Sequence, residues 1–309
     1  MRGDALLISA VSSAVEHYTD TVGVTGSNPV PRTITTASFF FFEIREGPSA
    51  MGKAGRKNFC DTLAPLLKAR GPWLSATLGS WSIGPDDYSL EQVLFVGPRG
   101  GGDYFRVGIF AGVHGDEAAG VFAAIRFLQE LEQNPGLARG YEIYAYPLCN
   151  PSGFEDGTRH SRSGRDLNRE FWTGSREPEV QLLERQIRTL RLDGLISLHA
   201  DNDSGGLYAF ALGAQVTQHV VEPALRAAEK VLPRNRDATI DNFTARNGLI
   251  RKGYPGMLCA APEAQPRPFE IVFETPHHAG LEKQIEANLV FLRYVLDQYQ
   301  QLQAVGQDL

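Results

Sequence analysis

The sequence predicts an α/β fold with a mixed, largely parallel central sheet covered by helices on both faces. Three observations carry that prediction. From Asn58 onward, short apolar runs alternate with longer amphipathic ones, the pattern of strands interleaved with helices. Several of the short runs, such as GLISLH (194–199) and FEIVFE (269–274), are nearly continuous in apolar residues, as strands buried on both faces require. Three runs end abruptly in His, Asp or Glu, and in such sheets ligands gather beyond the carboxyl ends of the strands.

In order along the chain, Phe59, Leu63, Leu66 and Leu67 share one face at helical spacing, and SATLGSWSI and LEQVLFVG then read as strands. Tyr104 to Ala111 reads as a buried strand. EAAGVFAAIRFLQELEQ, closed by Asn134-Pro135-Gly136, reads as the helix after it. Tyr141 to Leu148 is strand-like, Glu177 to Arg191 helical, Gly194 to His199 a strand and Leu207 to Leu212 another. A helix over Val216 to Leu232, a strand over Phe269 to Glu274 and a long helix over Leu281 to Gln303 complete the set. Residues 1–51 read as a poorly ordered extension, because TGSNPVPRTITTAS is rich in turn formers and the Phe39–Phe42 run lacks periodic context. Residues 52–305 then form one domain.

The chain has 309 residues, 42% of them hydrophobic and 21% charged, which is enough to bury a large core. With 30 Lys+Arg against 36 Asp+Glu the net charge is -6, and no basic stripe is available to neutralise a phosphate backbone, so nucleic acid is not an expected partner. No apolar run approaches the roughly 20 residues of a membrane-spanning helix, so no membrane association is expected. Asp4 interrupts the basic start that a secretion signal needs, which points to the cytoplasm. Cys60, Cys149 and Cys259 are too few and too scattered for a disulfide framework or a thiolate metal site.

The first polar strand end is FAGVHGDEAAG. His114 and Glu117, at i and i+3 on a turn, can aim an imidazole nitrogen and a carboxylate oxygen at one ion. The second strand end brings His199, at the tip of a run too apolar to hold an unpartnered imidazole. Two histidines and a glutamate make a zinc set with a fourth position left open, the arrangement of a catalytic rather than a structural ion. At the third end, FEIVFETP delivers Glu274 from an apolar context that should raise its pKa and suit it to general base and acid work. Between the first two ends lies the turn-rich segment 150–172, with Arg159, Arg162, Arg165 and Arg169. Asn168-Arg169 offers a bidentate fork plus an amide donor for a free carboxylate, and another arginine could polarise a carbonyl.

Taken in order, HGDE, NPSG, TRHSRSGRDLNREF, SLHA and FETP resemble the zinc carboxypeptidase family, over roughly residues 75–280. The resemblance extends to succinylglutamate desuccinylase and aspartoacylase, which use a similar DLNR-like stretch. It implies a zinc carboxypeptidase-like fold with one Zn2+ ion on His114, Glu117 and His199, and Glu274 as general base and acid. It further implies that Arg159 polarises the carbonyl, with Arg162 competing for that assignment among the substrate-binding residues. Asn168 and Arg169 would hold the substrate carboxylate, Asp166 would orient a ligating histidine, and Tyr254 would be the tyrosine that caps the substrate. Ser161 departs from the family's usual asparagine two positions after the first arginine, and Asp201 and Asp203 replace the hydroxyl and aromatic residues common after the histidine. The expected activity is zinc-dependent hydrolysis of an amide next to a free carboxylate, as a metallocarboxypeptidase acting on peptides. The alternatives are a deacylase of N-acyl amino acids and an inactive peptide-binding homologue.

Overall fold

The strands with the most continuous apolar runs occupy the middle of a ten-stranded sheet in the computed structural model, which describes residues 53–68 and 73–307. The expected extension over 1–51 lies outside the described residues. Helix α1 (Lys53–Lys68) precedes β1 (Leu74–Ile83) and β2 (Asp86–Val96); then come β3 (Phe105–Ala111), α2 (Ala118–Gln133), β4 (Tyr141–Tyr146) and the short α3 (Pro151–Asp156). Next are α4 (Pro178–Leu190), β5 (Gly194–Asp201), β6 (Tyr208–Leu212) and a helical stretch from Ala214 with a π-helical turn at Thr217–Val221, which leads into α5 (Glu222–Ala228). The short strands β7 (Thr239–Ile240), β8 (Phe243–Arg246) and β9 (Leu249–Ile250) precede β10 (Phe269–Pro276) and α6 (Leu281–Gln307).

The strand order is β1-β2-β4-β3-β5-β10-β6-β9-β8-β7. The central four, β4-β3-β5-β10, are mutually parallel, as the continuous apolar runs predict. Both flanks are largely antiparallel: β1 with β2, β2 with β4, and β6 with β10. A two-residue turn at Gly84-Pro85 joins β1 to β2, and a connection that short can only make a hairpin. The β8–β9 hairpin also turns on two residues, Asn247-Gly248, with φ of 50° and 67°. Asn-Gly is a strong hairpin signal, and it stands in a stretch that the hydrophobic pattern alone leaves blank.

Helices α2 and α5 each pack against α6 beside the sheet, while α4 lies along β1, with Leu182 against Gly79. Alternation along β10 sends Phe273 into α6, where its ring stacks on Phe291 with centroids 3.9 Å apart. The opposite face of β10 carries Glu270, Val272 and Glu274. Because β5 and β6 flank β10, the ladder lines up three rows on that face: His199, Glu274 and Tyr208; Ser197, Val272 and Phe210; Leu195, Glu270 and Leu212.

One buried charge bears on stability. Glu179, in the first turn of α4, is 1% exposed, and neither carboxyl oxygen has a hydrogen-bond partner among the described residues. Burial, aided by the nearby Glu177, pushes its carboxyl up to about 7. A raised folded-state pKa means that the folded chain holds this proton where the unfolded chain has released it. The stability that the protonated form contributes is therefore present below about pH 4.5 and is lost as pH rises through about 7, a change of about 3 kcal/mol. Urea unfolding should show Glu179→Gln gaining that amount over the parent at pH 8 and little at pH 4.5; equal gains at both pH values would refute the assignment.

Candidate active site

The site is built where two neighbouring parallel strands end. Strands β3 and β5 pair in register up to Ala111 and Leu198, so the chain beyond β3 and the tip of β5 emerge side by side. Gly112 turns the backbone (φ 61°), His114 follows two residues later, and Glu117 stands at the start of α2. His199 comes directly after Leu198. The ligand atoms of His114, Glu117 and His199 lie within 4.8 Å of one another, and all three side chains are buried. One oxygen of Glu117 is 2.6 Å from Nδ1 of His114 and the other is 2.9 Å from Nδ1 of His199, while the two Nδ1 atoms are 3.2 Å apart.

This donor set fits a divalent ion. Two ring nitrogens and a carboxylate face one small volume inside a protein wall, which is a costly arrangement unless a positive charge joins them. The electrostatics report the same demand. Burial favours a neutral ring on His114, yet Glu117 and Asp166 outweigh it and raise the imidazole to about 9. His199 is shifted the other way, because burial prevails over Glu117 and the charge of His114 opposes a second one. Glu117 is held below the usual carboxylate range by the two imidazoles despite its burial.

The remaining ring nitrogens are fixed from behind. Nε2 of His114 is 3.2 Å from Asp166, and Nε2 of His199 is 2.9 Å from the Ser197 hydroxyl. Each contact orients a ring so that Nδ1 faces the centre. Asp166 also accepts from the Arg159 guanidinium at 3.1 and 3.0 Å, which leaves the Arg159 Nη1 corner 3.8 Å from Glu117. The NPSG segment supports this group structurally. Asn150 caps α3 by accepting from Gly153, and its amide donates to the Val113 and Arg159 carbonyls, tying the His114 loop to the arginine loop. At Gly115 the two backbones approach so closely that a Cβ would overlap Gly153.

The ladder sets Glu274 directly beside His199 on one side and Tyr208 on the other. Burial pushes its carboxyl well above the usual range, reinforced by Glu117, Asp201 and Asp241 and partly offset by Arg159. Asn168 is buried, and its side-chain oxygen accepts from the Leu258 amide at 2.8 Å. The Arg169 guanidinium lies 4.1 Å from the centre of the Tyr254 ring, and the Tyr254 hydroxyl donates to Asp241. Asn168, Arg169 and Tyr254 thus form one wall. Arg162 does not join it, and this corrects the expectation that it binds substrate. Its guanidinium is committed to Asp156, Asp86 and Glu155, at 2.8, 2.9 and 3.2 Å, and stands 5.3 Å over the Tyr88 ring. Arg159 is then the arginine beside the three ligands.

Sequence reasoning missed Ser197, Asp241 and the wall at Gly256, whose carbonyl accepts from Phe171. Gly256 has φ of 77°, and a Cβ there would overlap the Arg169 carbonyl. Ser197 had a usable signal, since it stands two residues before His199 on a strand and so shares its face; Asp241 had none.

These close approaches separate the two groups of residues. Gly115→Ala should displace the His114 loop and lower the stoichiometry of bound divalent metal, measured by elemental analysis, with secondary structure retained. Gly256→Ala, which presses on Arg169, should instead leave metal stoichiometry unchanged; a change in metal content in that variant would refute the separation.

Residues 104–229 match the family described as the succinylglutamate desuccinylase/aspartoacylase catalytic domain. That span holds His114, Glu117, Arg159, Asp166, Asn168, Arg169 and His199, and ends before Tyr254 and Glu274. A search of curated proteins gives no match. Among solved structures, a protein of Shewanella amazonensis SB2B assigned as a metallopeptidase is 22% identical, with a TM-score of 0.67, covering 79% of this chain and 93% of that one. One from Shewanella baltica OS155 with the same assignment is 23% identical, with a TM-score of 0.66 and coverage of 79% and 92%. A metallo-carboxypeptidase from Burkholderia cenocepacia is 17% identical, with a TM-score of 0.57 and coverage of 78% and 69%. At these identities the likeness is one of fold. Residues 104–229 are thus similar to the succinylglutamate desuccinylase/aspartoacylase catalytic domain, and the chain shares the fold of solved structures assigned as metallopeptidases and as a metallo-carboxypeptidase.

Proposed function

We propose that the chain is a zinc-dependent hydrolase that cleaves an amide bond next to a free carboxylate, with residues 52–305 as its catalytic domain. The observation that carries this reading is the convergence of His114, Glu117 and His199 with Glu274 held beside His199 by the strand ladder. A divalent ion on those three ligands would supply Lewis acidity, polarising a carbonyl and acidifying water. Glu274, with its raised pKa, takes the proton from water and delivers it to the departing amine. The Arg159 guanidinium, anchored on Asp166, presents its free corner to the negative charge that develops on the carbonyl oxygen. Arg169, against Tyr254 and beside the buried Asn168, receives the substrate carboxylate and so fixes which amide lies at the reacting centre.

Two substrate classes present the same amide and carboxylate. A peptide losing its C-terminal residue is the first reading, which the FETP form of the last motif favours. An N-acyl amino acid losing its acyl group is the second, favoured by the family match over residues 104–229. Both place the released amino acid on the Arg169 side. Comparing hydrolysis of blocked dipeptides with that of N-acetyl and N-succinyl amino acids decides between them: a kcat/KM at least a hundredfold higher for one class identifies it.

Glu274→Gln should keep zinc at parent stoichiometry while kcat falls about 10²–10⁴-fold. Because the base works ionised, kcat/KM of the parent should rise with pH through an acid limb lying well above the ordinary carboxylate value of 4.5. An acid limb unchanged in the Gln variant would refute the role of Glu274.

A further inference from the structure

Trp172 stands in the left-handed region, with φ of 60°, a conformation that glycine adopts freely and a bulky aromatic residue adopts only at a cost. The chain turns there, over residues 170–174, directly after the short helix Leu167–Arg169. Such an outlier persists where the surroundings over-determine it, and three contacts meet at this residue. Its amide donates to the Glu184 carboxylate on α4. Its indole Nε1 donates to the Cys259 carbonyl at 3.1 Å. The Arg188 guanidinium, one turn along α4 from Glu184, stands 5.0 Å over the ring and is itself paired with Glu263 at 2.5 Å.

These contacts close a seam between two segments of the chain. Residues 168–172 lie along residues 254–259, where the Leu258 amide donates to the Asn168 side chain at 2.8 Å and the Phe171 amide donates to the Gly256 carbonyl at 3.1 Å. The indole of Trp172 supplies the next bond of the seam. At the other end, the Arg169 guanidinium lies against the Tyr254 ring. Residues 254–259 belong to no helix or strand, so the register of the seam rests on these bonds. Only through Trp172 do they reach α4: its amide, on Glu184, fixes the seam to a 13-residue helix. Asn168 and Arg169 precede Trp172 by four and three residues, so the direction of the chain at Trp172 is passed to both.

On these grounds we infer that Trp172 is a positioning residue: held in its left-handed conformation by Glu184, it fixes the seam that aims Asn168 and Arg169 at the substrate carboxylate. It acts through those two side chains. The inference rests on the reading of Asn168 and Arg169 as the carboxylate-binding wall, and it holds equally for a peptide and for an N-acyl amino acid.

The test compares Glu184→Ala, Glu184→Gln and Trp172→Phe with the parent, each as the zinc-loaded full chain. Hydrogen exchange read by mass spectrometry should show peptides covering 166–172 and 254–260 exchanging at least about tenfold faster in Glu184→Ala and Trp172→Phe. Glu184→Gln, whose side-chain oxygen still accepts from the Trp172 amide, should stay within about threefold of the parent. With the blocked dipeptide or N-acyl amino acid that the parent hydrolyses best, Glu184→Ala and Trp172→Phe should raise KM at least about tenfold and leave kcat within about threefold, while Glu184→Gln keeps the parent KM. Parent-like exchange in both Glu184→Ala and Trp172→Phe would overturn the inference. So would a loss of kcat shared by Glu184→Ala and Glu184→Gln, which is the mark of a merely structural contact. Faster exchange with an unchanged KM would overturn the reading of Asn168 and Arg169 and leave the dependence of the seam on Trp172 standing. A parent that hydrolyses none of these compounds would overturn the hydrolase reading, and exchange alone then decides the inference. Should Glu184→Ala fail to fold, Trp172→Phe carries both readouts.

Discussion

The carboxylate of Glu117, shared between two buried imidazoles, is the interaction on which the rest of the site depends. Each oxygen faces one ring nitrogen, so neither histidine can be repositioned without freeing a buried charge. That geometry exists only because β3 and β5 are adjacent and parallel, which sets both strand ends at one level. Asp166 and Ser197 then fix the far sides of the rings, and Asp166 passes the constraint on to Arg159. The chain of contacts runs outward from one carboxylate to the groups that would meet a substrate.

Much of this could be read in the sequence for a physical reason. Strands buried on both faces admit few polar residues, so His114, His199 and Glu274 stand out at the ends of apolar runs, and their strand ends define where a ligand sits. The arginines of residues 157–169 could not be sorted in this way. That segment has no period, and the direction of each guanidinium depends on distant partners: Arg162 is claimed by Asp86 and Asp156, Arg159 by Asp166. The same holds for Tyr254, whose position follows from Asp241 and from the ring stacking of Arg169 rather than from anything local. The flanking antiparallel strands were recoverable from turn chemistry at Gly84-Pro85 and Asn247-Gly248, signals that hydrophobic alternation does not register.

The proposed chemistry lies on one face of three strands. Within that face the upper row carries His199, Glu274 and Tyr208, the middle row Ser197, Val272 and Phe210, and the lower row a second carboxylate, Glu270. Glu270 and Glu274 lie on the same face of β10, yet their neighbours differ: Glu274 lies among other acids and a lone arginine, Glu270 against the Ala260 amide and Arg267. The loop that carries Leu258 and Ala260 donates one amide to Asn168 and the other to Glu270, so its conformation is coupled to the upper loops and to the lower row together.

The placement of β10 between a parallel and an antiparallel neighbour has an evolutionary corollary. A substitution on this strand can change what a row presents, but an insertion or deletion of a single residue would turn the entire row sequence inside out, sending Phe273 onto the face of His199 and Tyr208 and Glu274 toward α6. Diversification among descendants of such a chain is thereby channelled into side-chain exchange at fixed length along 270–274, while length variation is left to the loops at either end.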